Sequence, residues 1–448
     1  MRRCSILFLG CVLPAGCFNP GTVNDTDTNG SSGTSAVEPS SGGLSTTGTP
    51  PDTMTDSPTD SGEETTTTMG VDPDSSSGDD ATTGPPPMCG DGNADPGELC
   101  FGDPPEIYPT GDEPYDLAIA DIDSDDVLDI LTLSYTNDLL SILESDGIGG
   151  FTPPSNYDGG GNPHRVRTAD FDGDGDSDIV IAGGQLVTYW NQSGSLVQRI
   201  EPGGFGGSFG INSMEVMEGN GDEVPDIVYT QAYDFQFAAG TIVSSRWALI
   251  NSGSIINAGE GASGIWATEF AWDSDSDADV IGVNQYYSDA FITTGNGDGS
   301  FNEVHEHQVC PGRFAGARHV ITDDFDGDGS QDIVVTCMDG DFTVSLGTGA
   351  MAWNDHTIYS LDGAHRPYAY DIDDDGDPDL LVATSTLNRV ALYINDGSGS
   401  FTFSELEFLT NGSPYGVEVA DLNGDGGPDI ITTYQDGTGQ VMVWYSNP

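Results

Sequence analysis

The sequence predicts an all-β chain, a seven-bladed β-propeller behind a disordered tether. Three observations predict it. An aspartate-rich loop recurs with starts at Asp121, Asp170, Glu218, Ala271, Asp324, Asp371 and Asp421, and successive starts lie 47 to 53 residues apart. Strand-like apolar runs flank each copy. The last unit is one strand short, and a matching segment stands ahead of the first loop. A period near fifty residues marks a repeat architecture whose units are each too small to bury a core alone.

Each unit reads as four strands. An alternating stretch precedes the loop, as at 117–120 and 417–420, and an apolar, β-branched run follows it, as at 178–181, 332–335 and 429–431. A third run follows, for example 390–394, and glycine turns at 149–151, 297–301 and 397–401 lead into a fourth. Four short strands per unit are a propeller blade, and seven units make the ring. After the seventh loop only the runs near 430–433 and 440–445 remain, whereas residues 106–115 parallel 407–415. The N-terminal strand is therefore expected to complete the last blade and hide sheet edges that invite aggregation.

The loops carry the chemistry. The second copy reads DFDGDGDSD over 170–178. Carboxylates crowded on one side of a tight turn repel each other unless a cation joins them. Ca²⁺ takes six to eight oxygen ligands, which such a loop supplies. The expected ligands are Asp121, Asp123, Asp125 and Asp129; Asp170, Asp172, Asp174 and Asp178; Glu218, Asn220, Asp222 and Asp226; Asp273, Asp275 and Asp279; Asp324, Asp326, Asp328 and Asp332; Asp371, Asp373, Asp375 and Asp379; and Asp421, Asn423, Asp425 and Asp429. The seventh position, Asp176 in the second copy, would give its backbone carbonyl, because Val127, Val224, Ser330 and Gly427 stand there elsewhere. Gly175, Gly329, Gly376 and Gly426 at the sixth position suit a left-handed backbone, whereas the first loop has Asp126 there. Up to seven Ca²⁺ are expected, with the fourth loop, led by Ala271, the weak or empty site. The flanking strands exclude a helix-framed calcium loop.

These loops resemble the FG-GAP/VCBS repeats of the integrin α-subunit propeller and of many bacterial surface proteins, over roughly residues 104–448. The resemblance implies a calcium-stabilised seven-bladed propeller with the metal loops on one face and partner binding on the other. Calcium would then be structural, holding each turn.

The front end reads as an export address. Residues 1–17 combine a basic start, an apolar stretch at 5–13 and small residues before Cys17, and they resemble a bacterial lipoprotein signal with lipidation at Cys17. Pro14 departs from that pattern, and Cys11 is a rival acceptor. Residues 18–87 are Ser, Thr, Gly, Asp and Pro with almost no large apolar side chains, a composition that cannot offset the entropy of ordering by burial. They form the tether. Residues 88–103 hold a short disulfide motif, Cys89 with Cys100, resembling one that follows such tethers in bacterial surface proteins. Cys310 and Cys337 are left as a second pair. The expected location is a lipid anchor at the bacterial outer membrane or cell surface.

The chain carries 74 Asp and Glu against ten basic residues, all arginine, for a net charge of −64. That excludes nucleic acid as partner. The few basic residues are not scattered. Six positions ahead of each loop stand Tyr115, His164, Asn212, Ile265, Arg318, His365 and Tyr415; five ahead stand Asp116, Arg165, Ser213, Trp266, His319, Arg366 and Gly416. In a propeller these converge on the mouth of the central channel, opposite the metal loops. Tyr115, His164, Arg165, Trp266, Arg318, His319, His365, Arg366 and Tyr415 are thus candidate ligand-binding residues for an anionic or glycosidic partner. Arginine pairs bidentately with carboxylates, and aromatic rings stack on sugars. The competing reading is that these arginines only neutralise neighbouring carboxylates.

The expected function is a calcium-binding surface propeller for adhesion or recognition of a glycan or a surface protein. The alternative is a propeller-fold polysaccharide lyase using His164, His365, Tyr115, Tyr415 and Arg366 on uronate-containing glycans. No nucleophile-elbow, zinc-protease or phosphate-loop motif is present. His305 and His307 read as ordinary surface residues, because no third ligand is evident.

Overall fold

In the computed structural model, structure is described for residues 99–447 except 103, 201–210, 222–223, 232–235, 243–248, 258–261, 269–271, 274, 276, 285, 287, 303–304, 311–315 and 350. For 200, 211–212, 230–231, 236–242, 249–257 and 262–268 the backbone is described and the side chains are not. The expected signal, the tether and most of the cysteine motif lie outside the described residues.

Every element among the described residues is a β-strand, and the strands form seven four-stranded antiparallel sheets. Blades 1 to 6 run consecutively, their innermost strands being Pro114–Ala120, Arg165–Ala169, Ile211–Met217, Ala262–Thr268, Ala317–Asp323 and Ala364–Tyr370. Blade 7 joins Ser413–Ala420, Asp429–Gln435 and Gln440–Trp444 to the N-terminal strand Glu106–Pro109, with Glu106 opposite Val443 and Pro109 opposite Gln440. The expected closure is therefore present. A Phe101–Ser446 bridge and the bonds Gly102 N–H to Tyr445 O and Asn447 N–H to Cys100 O extend it. Each innermost strand packs beside the next, and blade 7 packs beside blade 1, so the ring is complete.

Strand alternation explains the continuous apolar runs. Successive side chains leave a strand on opposite faces, and a blade inside a ring has a neighbouring blade on each face. Ile179 and Ile181 pack toward blade 1 with Leu131 and Val166, while Val180 and Ala182 pack toward blade 3 with Met214 and Ile227. Ile333 and Val334, Leu380 and Leu381 divide in the same way. The core is thus a set of layers between blades. Cys310 and Cys337 form a buried disulfide joining the end of blade 4 to blade 5. Cys100 is disulfide-bonded, and Cys89 lies outside the described residues.

Candidate functional site

At one end of the ring each innermost strand runs into its acidic loop. The loop's last aspartate is buried and fixes the turn twice. Asp178 Oδ2 accepts from Phe171 N–H at 3.0 Å, and its Oδ1 accepts from Asn191 N–H at 2.9 Å. Asp129, Asp332, Asp379 and Asp429 repeat this pair of bonds. So does Asp279 in the loop led by Ala271. The first aspartate accepts from the backbone ahead of it: Asp170 takes Gly173, Asp174 and Gly175 N–H at 2.7, 3.1 and 2.9 Å.

The backbone has to turn left-handed to make these bonds. Gly175, Gly329, Gly376 and Gly426 all have positive φ, and Asp126 adopts φ 67° in the first loop without glycine's freedom. The fourth position is left-handed as well, with Ser124, Gly173, Gly327, Asp374 and Gly424 there. Sequence reasoning singled out only the sixth.

Three carboxylates per loop converge: Asp121, Asp123 and Asp129; Asp170, Asp172 and Asp178; Asp324, Asp326 and Asp332; Asp371, Asp373 and Asp379, with one oxygen of each within 4.8 Å of the others. These clusters could hold metal ions. Asp373 Oδ1 is buried with no hydrogen-bond partner, as is Glu218 Oε2 in the third loop. A buried carboxylate oxygen without a donor is costly, so the donor set fits a hard cation. The fifth-position aspartates of these four loops, Asp125, Asp174, Asp328 and Asp375, each accept from the backbone N–H two residues on. Asp222 lies outside the described residues.

Burial sets the protonation of these groups while no cation is near. It pushes Asp178, Asp332, Asp379 and Asp429 up to about 7, and Asp129 and Asp279 up to about 6, against the lowering pull of their backbone N–H donors. Neighbouring aspartates push the same way.

The opposite end of the ring is built by a repeated irregularity. Six innermost strands carry a bulge near their start, between 114 and 116, 211 and 213, 262 and 264, 317 and 319, 364 and 366, and 414 and 417. A bulge re-aims the extra side chain. Tyr115, Arg318, His365 and Tyr415 occupy these positions, and His164 stands at the equivalent place in blade 2. Their rings meet: Tyr115 lies 5.0 Å from Tyr415 and 5.6 Å from His164, and His365 lies 4.5 Å from Tyr415 and 4.9 Å from His319. Tyr135, which sequence reasoning missed, extends the rim at 5.3 Å from His164. It lies on the turn after the second strand, where the repeat pattern holds no cue to its direction.

Blade 4 departs from the expected register. Elsewhere the residue just before the loop pairs with the loop's last aspartate, as Asp323 pairs with Asp332; in blade 4 that partner is Thr268. The bulge position is therefore Ser263, and Ile265 and Trp266 stand two residues further along the strand, away from the place assigned to Trp266 by counting. Their side chains lie outside the described residues.

Beneath the rim, charged side chains cross the channel. Asp116, fully buried, receives Arg165 at 3.6 Å, Arg167 at 3.4 Å and Arg366 from across the ring. Arg167 also grips Glu215, with Nε to Oε2 at 2.7 Å and Nη2 to Oε1 at 2.5 Å. Arg165 Nη2 lies 3.2 Å from His319 Nδ1. Arg165, Arg167, Glu215, His319 and Arg366, with Glu418, line a cavity of about 300 Å³ in the channel. Burial pushes the Glu418 carboxyl up to about 7. Arg165 and Arg366 are thus committed to Asp116.

Arg318 is different. It forms no ion pair with any described carboxylate, and its Nε lies 3.2 Å from the exposed Met338 sulfur. His365 is pushed down to about 3 by burial, with Arg318 adding to the effect, and His319 is lowered well below its ordinary value for the same first reason. Bases this weak give little drive for abstracting a proton alpha to a carboxylate near neutral pH. The arginine expected to stabilise the resulting anion, Arg366, is held by Asp116.

A closed ring of seven four-stranded blades with an acidic turn after each innermost strand defines a repeat β-propeller. The FG-GAP-like repeat matches residues 121–181, 170–229, 272–335, 324–382 and 371–432, and the chain belongs to that family. Among solved structures, BBS1N, crystallised in complex with ARL6DN, is similar at 12% identity and a TM-score of 0.56, over 78% of this chain and 97% of that one. The BP39L lectin from Burkholderia pseudomallei is similar at 15% identity and a TM-score of 0.53, over 76% and 97%. No curated protein sequence matches the chain.

Proposed function

We propose that the protein is an exported, calcium-loaded recognition propeller that binds a glycan at its channel mouth, held off a cell surface by the 18–87 tether and a lipid on Cys17. The observation that carries it is the rim: Tyr115, Tyr135, His164, His365 and Tyr415 pack ring against ring around one end of the channel. Aromatic faces stack on sugar rings, with Tyr135 exposed and Tyr115, His164 and Tyr415 half-buried here, and their polar atoms suit sugar hydroxyls. Calcium in the loops would hold the frame, since cation binding to the folded state alone stabilises it. A lectin with this fold, BP39L, makes sugar recognition by such a ring a natural expectation.

The test is binding of the calcium-loaded full chain to immobilised oligosaccharides, with Tyr415→Ala and Tyr115→Ala beside it. Retention that both variants lose supports the mouth as the site. Retention that both keep moves the site elsewhere, and no retention of any glycan turns the reading toward a protein partner.

A further inference from the structure

We infer that the mouth selects glycans bearing an isolated carboxylate, which Arg318 receives while the aromatic rim holds the sugar ring. The inference rests on the glycan reading above and names the class of glycan.

The charge arrangement leads there. Of the four arginines that counting places around the channel, Arg165, Arg167 and Arg366 are tied to Asp116, and Arg167 also to Glu215. Removing any of them would strip a buried anion of its partner. Arg318 stands on a bulge at the rim, half-buried, with a thioether as its only hydrogen-bond partner among the described residues. In a chain with 74 acidic residues and ten arginines, a guanidinium that no described carboxylate has claimed is out of keeping with its surroundings. It raises the local potential at Tyr115, Tyr415, His319 and His365.

A second observation points to a ligand. His365 is 7% exposed, lies between Tyr415 and His319, and its Nδ1 has no partner. Buried polar groups in native proteins are almost always satisfied. One that is not, beside a cation with no described carboxylate partner and a ring of aromatic faces, makes an incomplete polar site that a sugar acid completes. Its carboxylate takes the paired N–H groups of Arg318, and a hydroxyl meets His365.

The net charge sets the limit on ligand charge. The single charge of Arg318 and the chain's net −64 are screened over the same length, about 8 Å at physiological salt, so the acidic excess prevails everywhere but beside the guanidinium. A densely sulfated or polyuronate chain would bring many anions against that field. A single acidic sugar on an otherwise neutral glycan brings one. The selected class is therefore mono-acidic.

The experiment compares two immobilised oligosaccharides that differ only in one sugar, the uronic acid and its carboxyl-reduced neutral counterpart. Wild type, Arg318→Gln and Tyr415→Ala are compared, each in calcium, with melting curves to confirm folding. Wild type should prefer the acid about 10- to 100-fold, the range of a charge-assisted hydrogen bond. Arg318→Gln should lose the preference and bind both sugars alike. Arg318→Lys should restore part of the preference, because it keeps the charge and loses the planar pair of donors. Tyr415→Ala should weaken both. Equal binding of acid and neutral sugar by wild type, or an Arg318→Gln preference equal to wild type, overturns this inference and leaves the glycan reading standing. Binding to neither sugar, or to any other glycan, overturns both.

Discussion

The two ends of the innermost strands obey opposite rules. At the loop end seven near-copies gather aspartates, and no described cation reaches Asp373 Oδ1 or Glu218 Oε2. At the mouth no two blades present the same pair of residues, and the buried anion Asp116 is met by three arginines. Repetition at one end reads as a common structural need answered seven times. Variety at the other reads as a surface assembled once, each blade giving one part. The loop end gathers acceptors that no described arginine meets; the mouth supplies its own charges and, among the described residues, leaves Arg318 without a carboxylate.

The largest effect expected concerns the loop end. Each site occupied with free calcium at 100 times Kd would add about 2.7 kcal/mol to stability, so chelation should lower the melting temperature by well over 10 °C through several sites together. Asp371→Ala should lower it far less, and Arg318→Gln should melt like wild type in calcium.

The next largest separates the arginines. Asp116→Asn leaves three guanidinium groups without their shared carboxylate, and breaking a buried pair from one side costs about 3–5 kcal/mol. Chemical denaturation would read this. A loss under 1 kcal/mol would mean that the channel cations do not depend on Asp116.

A smaller effect isolates the turn itself. Nothing lies within 4 Å of a Cβ added at Gly175, whose φ is 94°, so Gly175→Ala is strained through its backbone alone, by about 1–2 kcal/mol. The matching change Asp126→Gly should stabilise slightly, since φ 67° there is already left-handed. A destabilising Asp126→Gly would point to a use for that carboxylate which the turn geometry does not require.

The smallest effect has a distinctive sign. In chelator, the buried loop aspartates have folded-state pKa values raised to about 6–7. The folded state therefore binds more protons than the unfolded chain between about pH 4 and 7, and stability is lost as pH rises through that window. The chelated protein should melt higher at pH 5 than at pH 8. With calcium the order should reverse, because protonation competes with the ion. Two melting series in matched buffers check both signs.

The loop end was legible because its pattern is local. Nine residues carry the ligands, the glycine positions and the start of the next strand, and the period carries the blade count. The N-terminal strand in blade 7 was legible because 106–115 echoes 407–415. The mouth was only half legible. Counting back from the loops located Tyr115, His164, Arg318, His365 and Tyr415, since six of the strands hold a constant length there. It misplaced Trp266, because blade 4 pairs Thr268 rather than the residue before the loop with Asp279. It could not tell Arg165 and Arg366 from Arg318, because Asp116 reaches them across the channel from 49 and 250 residues away in sequence. Such pairing is a property of the closed ring.

The most direct test of the division between the two ends is a count of bound calcium on the full chain, by equilibrium dialysis with elemental analysis. The account predicts six ions held tightly and a seventh weaker at the loop led by Ala271, with Asp371→Ala losing one and Arg318→Gln losing none. A count of one or zero, or a loss of calcium in Arg318→Gln, would contradict it.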